Sequence, residues 1–262
     1  MARVHPTALV DPRAELAEDV EVGPYAVVGP QLRIGAGSSI GSHTVLSGRT
    51  TIGRDNRIFP HVALGGMPQD KKYAGEDTEL VIGDGNTIRE FCTFNIGTAQ
   101  GGGVTRIGSD NWIMAYVHVA HDCRVGDHCI LANAVTLGGH VELGDWVILG
   151  GLTAVHQFVR IGSHAMAGGG TILVQDLPPF VICNGSPAAA HGLNSEGLKR
   201  RGYGAEAIAT LRRAYKTIYK EGLTAAAACE QLLQAADGEP ASASDLRALA
   251  DFVSSSTRGI VR

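Results

Sequence analysis

The stretch "HVAHDC", residues 118–123, sets His118 three positions before His121 and follows His121 with Asp122. Two further segments, "LGGHVE" with His140 and "AVHQFV" with His156 and Gln157, repeat a polar cluster downstream. Two chemistries compete for such residues. Three imidazoles can hold zinc if they converge at about 2.0–2.1 Å with their other nitrogens oriented by neighbours. Alternatively, one imidazole oriented by a carboxylate is a general base: it takes a proton from an attacking hydroxyl and returns it to a leaving group. A backbone N–H aimed at the reacting carbonyl would complete that device as an oxyanion donor. Neighbouring side chains on an extended strand point to opposite faces, so Asp122 reaches His121 only if the chain turns between them.

What positions these residues is a period of six. Aliphatic residues open successive units at Val4, Val10, Leu16, Val22, Val28, Ile34, Ile40, Leu46, Ile52, Ile58 and Leu64. The pattern resumes at Ile82 and Ile88, and again in a new phase from Ile107 to Leu173. Neither a helix, with period near 3.6, nor simple alternation produces it, whereas short strands joined by turns do. The hexads predict an all-β parallel β-helix over residues 1–189, with loop excursions at 65–81 and 95–106. Three hexads per coil place residue i under i+18, and about eight coils would stack to about 40 Å at the spacing of paired strands. His121 then lies under Gly139 and Gln157, Asp122 under His140 and Phe158, and Ala120 under Gly138 and His156. Gly139 is thereby set where an oxyanion donor would be useful. Cys92, Cys123 and Cys129 share the inward fifth position of their hexads and read as packing residues.

The period ends after "QDLPPF", and residues 190–262 predict a helical domain that caps the solenoid. "AEAIATLRRAYKTIYKEG" puts Ile208, Leu211, Tyr215 and Ile218 on one face, and "TAAAACEQLLQAAD" and "SDLRALADFVSSS" read as two more helices. Arg212, Lys216 and Lys220, with Arg213 adjacent, form a basic stripe at helical spacing. It is either an ordinary solvated face or a docking surface for an acidic protein. Residues 1–189 carry 12 basic and 18 acidic side chains, and aromatics make up 5% of the chain, a poor composition for nucleic-acid binding. The start "MARVHPTALVDP" has no apolar signal core and no run suits a membrane span, which predicts a soluble cytoplasmic protein. Five cysteines without a C-x-x-C fit a reducing compartment and offer no zinc framework.

"HVAHDCRVG", "LGGHVELGD", "GGLTAVHQFVRIG", "QDKKYAGE" and "GLNSEGLKRRG" resemble the UDP-N-acetylglucosamine acyltransferases that begin lipid A synthesis in Gram-negative bacteria, and the resemblance spans the whole chain. It implies a left-handed β-helix, the hand opposite to that of most parallel crossovers. It also implies a homotrimer with active sites between subunits, and transfer of an (R)-3-hydroxyacyl chain from acyl carrier protein to the sugar 3-hydroxyl. No cofactor or metal is implied beyond the 4'-phosphopantetheine that arrives on the donor. His121 would be the base, Asp122 its orienting partner, and Gly139 N–H the oxyanion donor. Asp70, Lys72, His118, His140, His156 and Gln157 would contact substrate. Asn194, Glu196, Arg200 and Arg201 would hold the nucleotide and phosphates, and Gly169 would limit acyl length, leaving room for a longer chain. Asn95 departs from the histidine of some members. Coenzyme A-dependent acetyltransferases on other sugar nucleotides and zinc-dependent solenoid carbonic anhydrases are the alternatives.

Overall fold

Each hexad becomes a two-residue strand followed by a corner. In Val45–Leu46 the first side chain is exposed and the second buried, and the same alternation recurs at Arg57–Ile58 and Glu142–Leu143. Burying each such Leu or Ile contributes about 2 kcal/mol, which makes the period self-enforcing. The computed structural model describes all 262 residues. Strands pair in parallel with the coil above, as in His118↔Thr136↔Ala154 and Arg124↔Glu142↔Arg160, so the 18-residue register holds throughout the site region. The strands collect into three sheets. We call them A (11 strands, containing Ile130–Leu131), B (9 strands, containing His118–Val119) and C (8 strands, containing Arg124–Val125).

Nine strands in sheet B give nine coils rather than about eight. Phe94 and Cys183 also serve as inward residues, each 0% exposed, although neither is aliphatic. The interior is not dry from the start either. Val4 is 42% exposed, and Val10 and Leu16 are only partly buried, because the first coil has a neighbour on one side only. The loop excursions are narrower than 65–81 and 95–106. Sheet C takes four-residue strands at Glu79–Ile82 and Val104–Ile107, and sheet B holds Ala63–Gly66 and Thr93–Asn95, leaving 67–78 and 96–103 as loops.

From Asp110 to Gly170 one corner residue per hexad sits in the left-handed region, among them Asp122 (φ 60°), His140 (φ 62°) and Phe158 (φ 65°) at the turn from sheet B to sheet C. That conformation is costly for a side-chain-bearing residue. Stacking along the corner offsets the cost: the His140 and Phe158 rings lie 4.3 Å apart.

Residues 190–193 continue the solenoid. Strand Ala189–Leu193 runs antiparallel to Val181–Asn184 and closes sheet A. Four helices follow: α1 (Ser195–Arg200), α2 (Ala205–Tyr219), α3 (Ala225–Gly238) and α4 (Ala243–Ser254). Ile208, Leu211, Tyr215 and Ile218 are all buried, as the periodicity predicts. The chain end returns to the solenoid, where Val261 N donates to Asp176 O at 2.8 Å and Ser256 Oγ to Asp176 Oδ2 at 2.8 Å.

Candidate active site

The strand His118–Val119 delivers the chain to a corner, and the positive φ of Asp122 folds its carboxylate back onto the preceding residue. His121 Nδ1 and Asp122 Oδ2 are 2.7 Å apart, so the turn that the sequence reading required is present. A carboxylate only accepts, so the proton lies on Nδ1 and Nε2 is left as an acceptor. The Asp122 side chain has no exposure to solvent. Oδ1 accepts from Thr98 N at 2.8 Å, Oδ2 from the Thr98 hydroxyl at 2.6 Å, and the Asp122 amide donates to Thr105 Oγ1 at 2.8 Å.

Gly139 lies directly over the imidazole. A Cβ there would stand 2.7 Å from His121 Cε1 and 2.8 Å from Nε2, so only glycine leaves the ring in place. The Gly139 N–H donates to no protein acceptor. His140 meets the His121 ring edge-on at 5.2 Å, with Nε2 3.7 Å from Asp122 Oδ2. Burial pulls its pKa down, against the opposing charge of Asp122. His118 shares a hydrogen bond between Nδ1 and Thr93 Oγ1 at 2.8 Å, and burial lowers its pKa as well, so it stays neutral at pH 7. A cleft of about 600 Å³ opens over this corner, lined among others by Asp70, Lys72, Gln100, His121, His140 and Gln157. Asp70 and Lys72 come from the first loop, Gln100 from the second. Asn95, at the root of the second loop, holds the first one by donating to Met67 O at 2.9 Å.

His121, Asp122 and His140 are also close enough together to suggest a metal site. Tetrahedral ligands about 2.0–2.1 Å from zinc stand about 3.3 Å from each other. The 2.7 Å separation of His121 Nδ1 and Asp122 Oδ2 is instead that of a direct hydrogen bond, with both carboxylate oxygens already engaged by Thr98. The residues therefore do not fit an ion held between them.

Other residues singled out in the sequence are not brought to this corner. Asn194 is buried and caps α1, accepting from Gly197 N at 3.1 Å and donating to His164 O at 2.9 Å. Its side chain is thus committed to the fold. Glu196 is exposed and paired with Lys199. Arg201 lies over the Trp146 ring, 5.2 Å from its centroid, at the corner from sheet C to sheet A, with exposed Arg200 beside it. Gly169 is exposed at the corner from sheet A to sheet B. His156, by contrast, lies at this same corner one coil above Gly138, where Arg258 Nη2 lies 3.2 Å from its Nδ1 and Arg258 Nη1 donates to Gln157 O at 2.6 Å. Thr98, Thr105 and Arg258 escaped the sequence reading. Thr98 falls in an aperiodic interruption and Arg258 is 102 positions from His156, so neither carries a local signal.

A stacked hexapeptide solenoid with a carboxylate-oriented histidine under a glycine amide, facing an open cleft, defines the class of hexapeptide-repeat transferases, and residues 105–139 match the bacterial transferase hexapeptide model. Residues 176–261 match the model described as UDP-N-acetylglucosamine O-acyltransferase, domain 2. The chain is 59% identical over its full length, and that of the relative, to an acyl-[acyl-carrier-protein]--UDP-N-acetylglucosamine O-acyltransferase of Thiobacillus denitrificans, and 57% identical to that of Verminephrobacter eiseniae with the same coverage. It superposes on the solved UDP-N-acetylglucosamine O-acyltransferase of Moraxella catarrhalis with a TM-score of 0.95 at 43% identity, covering 99% of each chain. The chain belongs to the UDP-N-acetylglucosamine O-acyltransferase family.

Proposed function

We propose that this enzyme moves an (R)-3-hydroxyacyl chain from acyl carrier protein to the 3-hydroxyl of UDP-N-acetylglucosamine, the first step of lipid A biosynthesis. The observation that carries the reading is the 2.7 Å contact of His121 Nδ1 with Asp122 Oδ2 beneath the unpaired Gly139 amide. His121 Nε2 takes the proton of the sugar hydroxyl as its oxygen attacks the thioester carbonyl. The carbonyl oxygen becomes an oxyanion beside Gly139 N–H. Collapse breaks the C–S bond, and the imidazolium returns its proton to the phosphopantetheine sulfur. Asp122 stabilises that imidazolium without itself being protonated.

Asp70, Lys72, His118, His140, His156 and Gln157 hold the sugar and acyl groups around the base. Arg200 and Arg201 take the phosphates with paired donors, alongside Glu196. On one chain these arginines and His121 stand at opposite edges of sheet C, and this separation supports a homotrimer in which neighbouring subunits complete each cleft. Asn194 supports the nucleotide residues through its cap on α1 rather than by a free side chain. Gly169 carries no side chain at its exposed corner, which suits a longer acyl chain. No helix is long and apolar enough to cross a membrane. The test is mass spectrometry of the product formed from UDP-N-acetylglucosamine with a mixed pool of acyl carrier donors and, in parallel, with acetyl-coenzyme A. A 3-O-(3-hydroxyacyl) sugar nucleotide is expected, and product formed only from acetyl-coenzyme A would overturn the reading.

A further inference from the structure

The loop at 96–103 contributes Gln100 to the cleft wall, but its inner side carries a second arrangement. Thr98 is 3% exposed and addresses Asp122 twice, through its amide to Oδ1 and its hydroxyl to Oδ2. We propose that Thr98 is a positioning residue, which holds the Asp122 carboxylate so that Oδ2 faces His121 Nδ1 and the base keeps its Nε2 lone pair toward the substrate. This rests on the reading of His121 as the base.

The polarity of the network has one solution. Thr98 Oγ1 accepts from Gly101 N at 3.2 Å, and its single proton goes to Asp122 Oδ2, since an ionised carboxylate cannot donate. Oδ2 then has one remaining acceptor direction for an imidazole. Two imidazoles border it: His121 at 2.7 Å and His140 at 3.7 Å. Two fixed donors on Thr98 set the rotation of the carboxylate and so select His121. The loop is fitted closely for this purpose. A Cβ on Gly101 would overlap the carboxylate carbon, so the 3₁₀ turn Ala99–Gly101 can lie against Asp122 only with glycine there. Without the hydroxyl, the carboxylate is free to swing toward His140, and His121 loses the acceptor that fixes its tautomer.

The experiment compares Thr98→Val, which keeps shape and removes the hydroxyl, with Thr98→Ser, which restores it, in the full-length protein. Melting temperature and oligomer size monitor folding. For Thr98→Val we expect kcat to fall about 10- to 100-fold while KM for UDP-N-acetylglucosamine and acyl carrier donor stays within about threefold, and Thr98→Ser to recover most of the rate. In ¹⁵N-histidine spectra, assigned by loss of the His121 signals in His121→Gln, the Nδ1–H form of His121 should dominate in wild type and Thr98→Ser. In Thr98→Val the Nε2–H form should grow. An unaltered tautomer in Thr98→Val, or a serine variant as impaired as the valine one, overturns the proposal. The spectra need no substrate, so a wild-type protein inactive on these substrates would sink the reading of function while the tautomer still decides the role of Thr98.

Discussion

Gly139 and His121 constrain each other: the imidazole occupies the volume that any Cβ at 139 would take. Gly139→Ala should therefore act like a milder His121→Ala, by pushing the ring off Asp122. We expect His121→Ala to lower turnover by at least about 10², with melting and oligomer size near wild type, and Gly139→Ala to lower it by about 10-fold or more. Steady-state rates alongside thermal melts check both, and retained turnover in His121→Ala would remove it as the base. Burial accounts for the four solenoid cysteines too. Cys92, Cys123, Cys129 and Cys183 are fully buried and their thiols are pushed up to about 12, so they are packing residues rather than nucleophiles.

At the scale of elements, two columns, one inside the solenoid and one along an outer corner, set the strength of the stack. One is an asparagine ladder. Asn86 Nδ2 donates to Asn56 Oδ1 at 3.0 Å and to Gly108 O at 2.9 Å, while Asn86 Oδ1 accepts from Asn111 N at 2.9 Å. Asn86→Ala leaves Gly108 O and Asn111 N–H unpaired on the coil above, while Asn56 Oδ1 keeps the Asn86 amide, and it should cost about 1–3 kcal/mol in urea unfolding, with function intact in the folded fraction. The other column is the Trp146, His164 and Phe180 stack, which α1 and Arg201 cover. Burial, with the Arg201 charge added, lowers the His164 pKa from 6.5 to about 4. Because the folded value is the lower one, the unfolded chain binds the proton first as the solution is acidified. The His164 contribution to stability then falls from about pH 6.5 down to about pH 4 and is constant below it. Thermal melts of His164→Gln should show a shallower fall across that window than wild type.

For the whole molecule, the question is how residues on separate corners come to serve one reaction. If neighbouring subunits share each cleft, His121→Ala and Arg201→Ala chains, each nearly inactive alone, should regain activity when co-assembled, up to about a quarter of the sites at equal mixing. Activity of mixed against separately assembled protein measures this, and no recovery in verified mixed trimers would place all the working residues on one chain. The basic stripe of α2 is narrower than its sequence spacing predicts, because Arg213 is bound by Glu239. Arg212, Lys216 and Lys220 remain exposed without an acidic partner. Reversing charge at Arg212 and Lys216 should slow reaction with the acidic carrier protein several-fold at low salt and leave a small thioester donor unaffected. Equal rates with the protein donor would reduce the stripe to a solvated face.

The sequence by itself determined the solenoid and the vertical neighbours within it. Nearly every hexad buries its opener, so the 18-residue register is restated in each coil that carries no loop excursion, and placing Gly139 over His121 required nothing but counting. The helical faces of the tail were legible for the same reason, with a period tied to burial. Tertiary structure alone decided what lacks a period. The fold of Asp122 onto His121 depends on one left-handed φ. The clamp on that carboxylate comes from Thr98, 24 residues earlier, in a loop whose path follows from where its two ends are anchored. Arg258 reaches Gln157 across 101 residues because the chain end must cover the last coil. Asn194, which the resemblance offers as a ligand contact, is buried as a helix cap because α1 needs its amide groups satisfied more than it needs another exposed side chain.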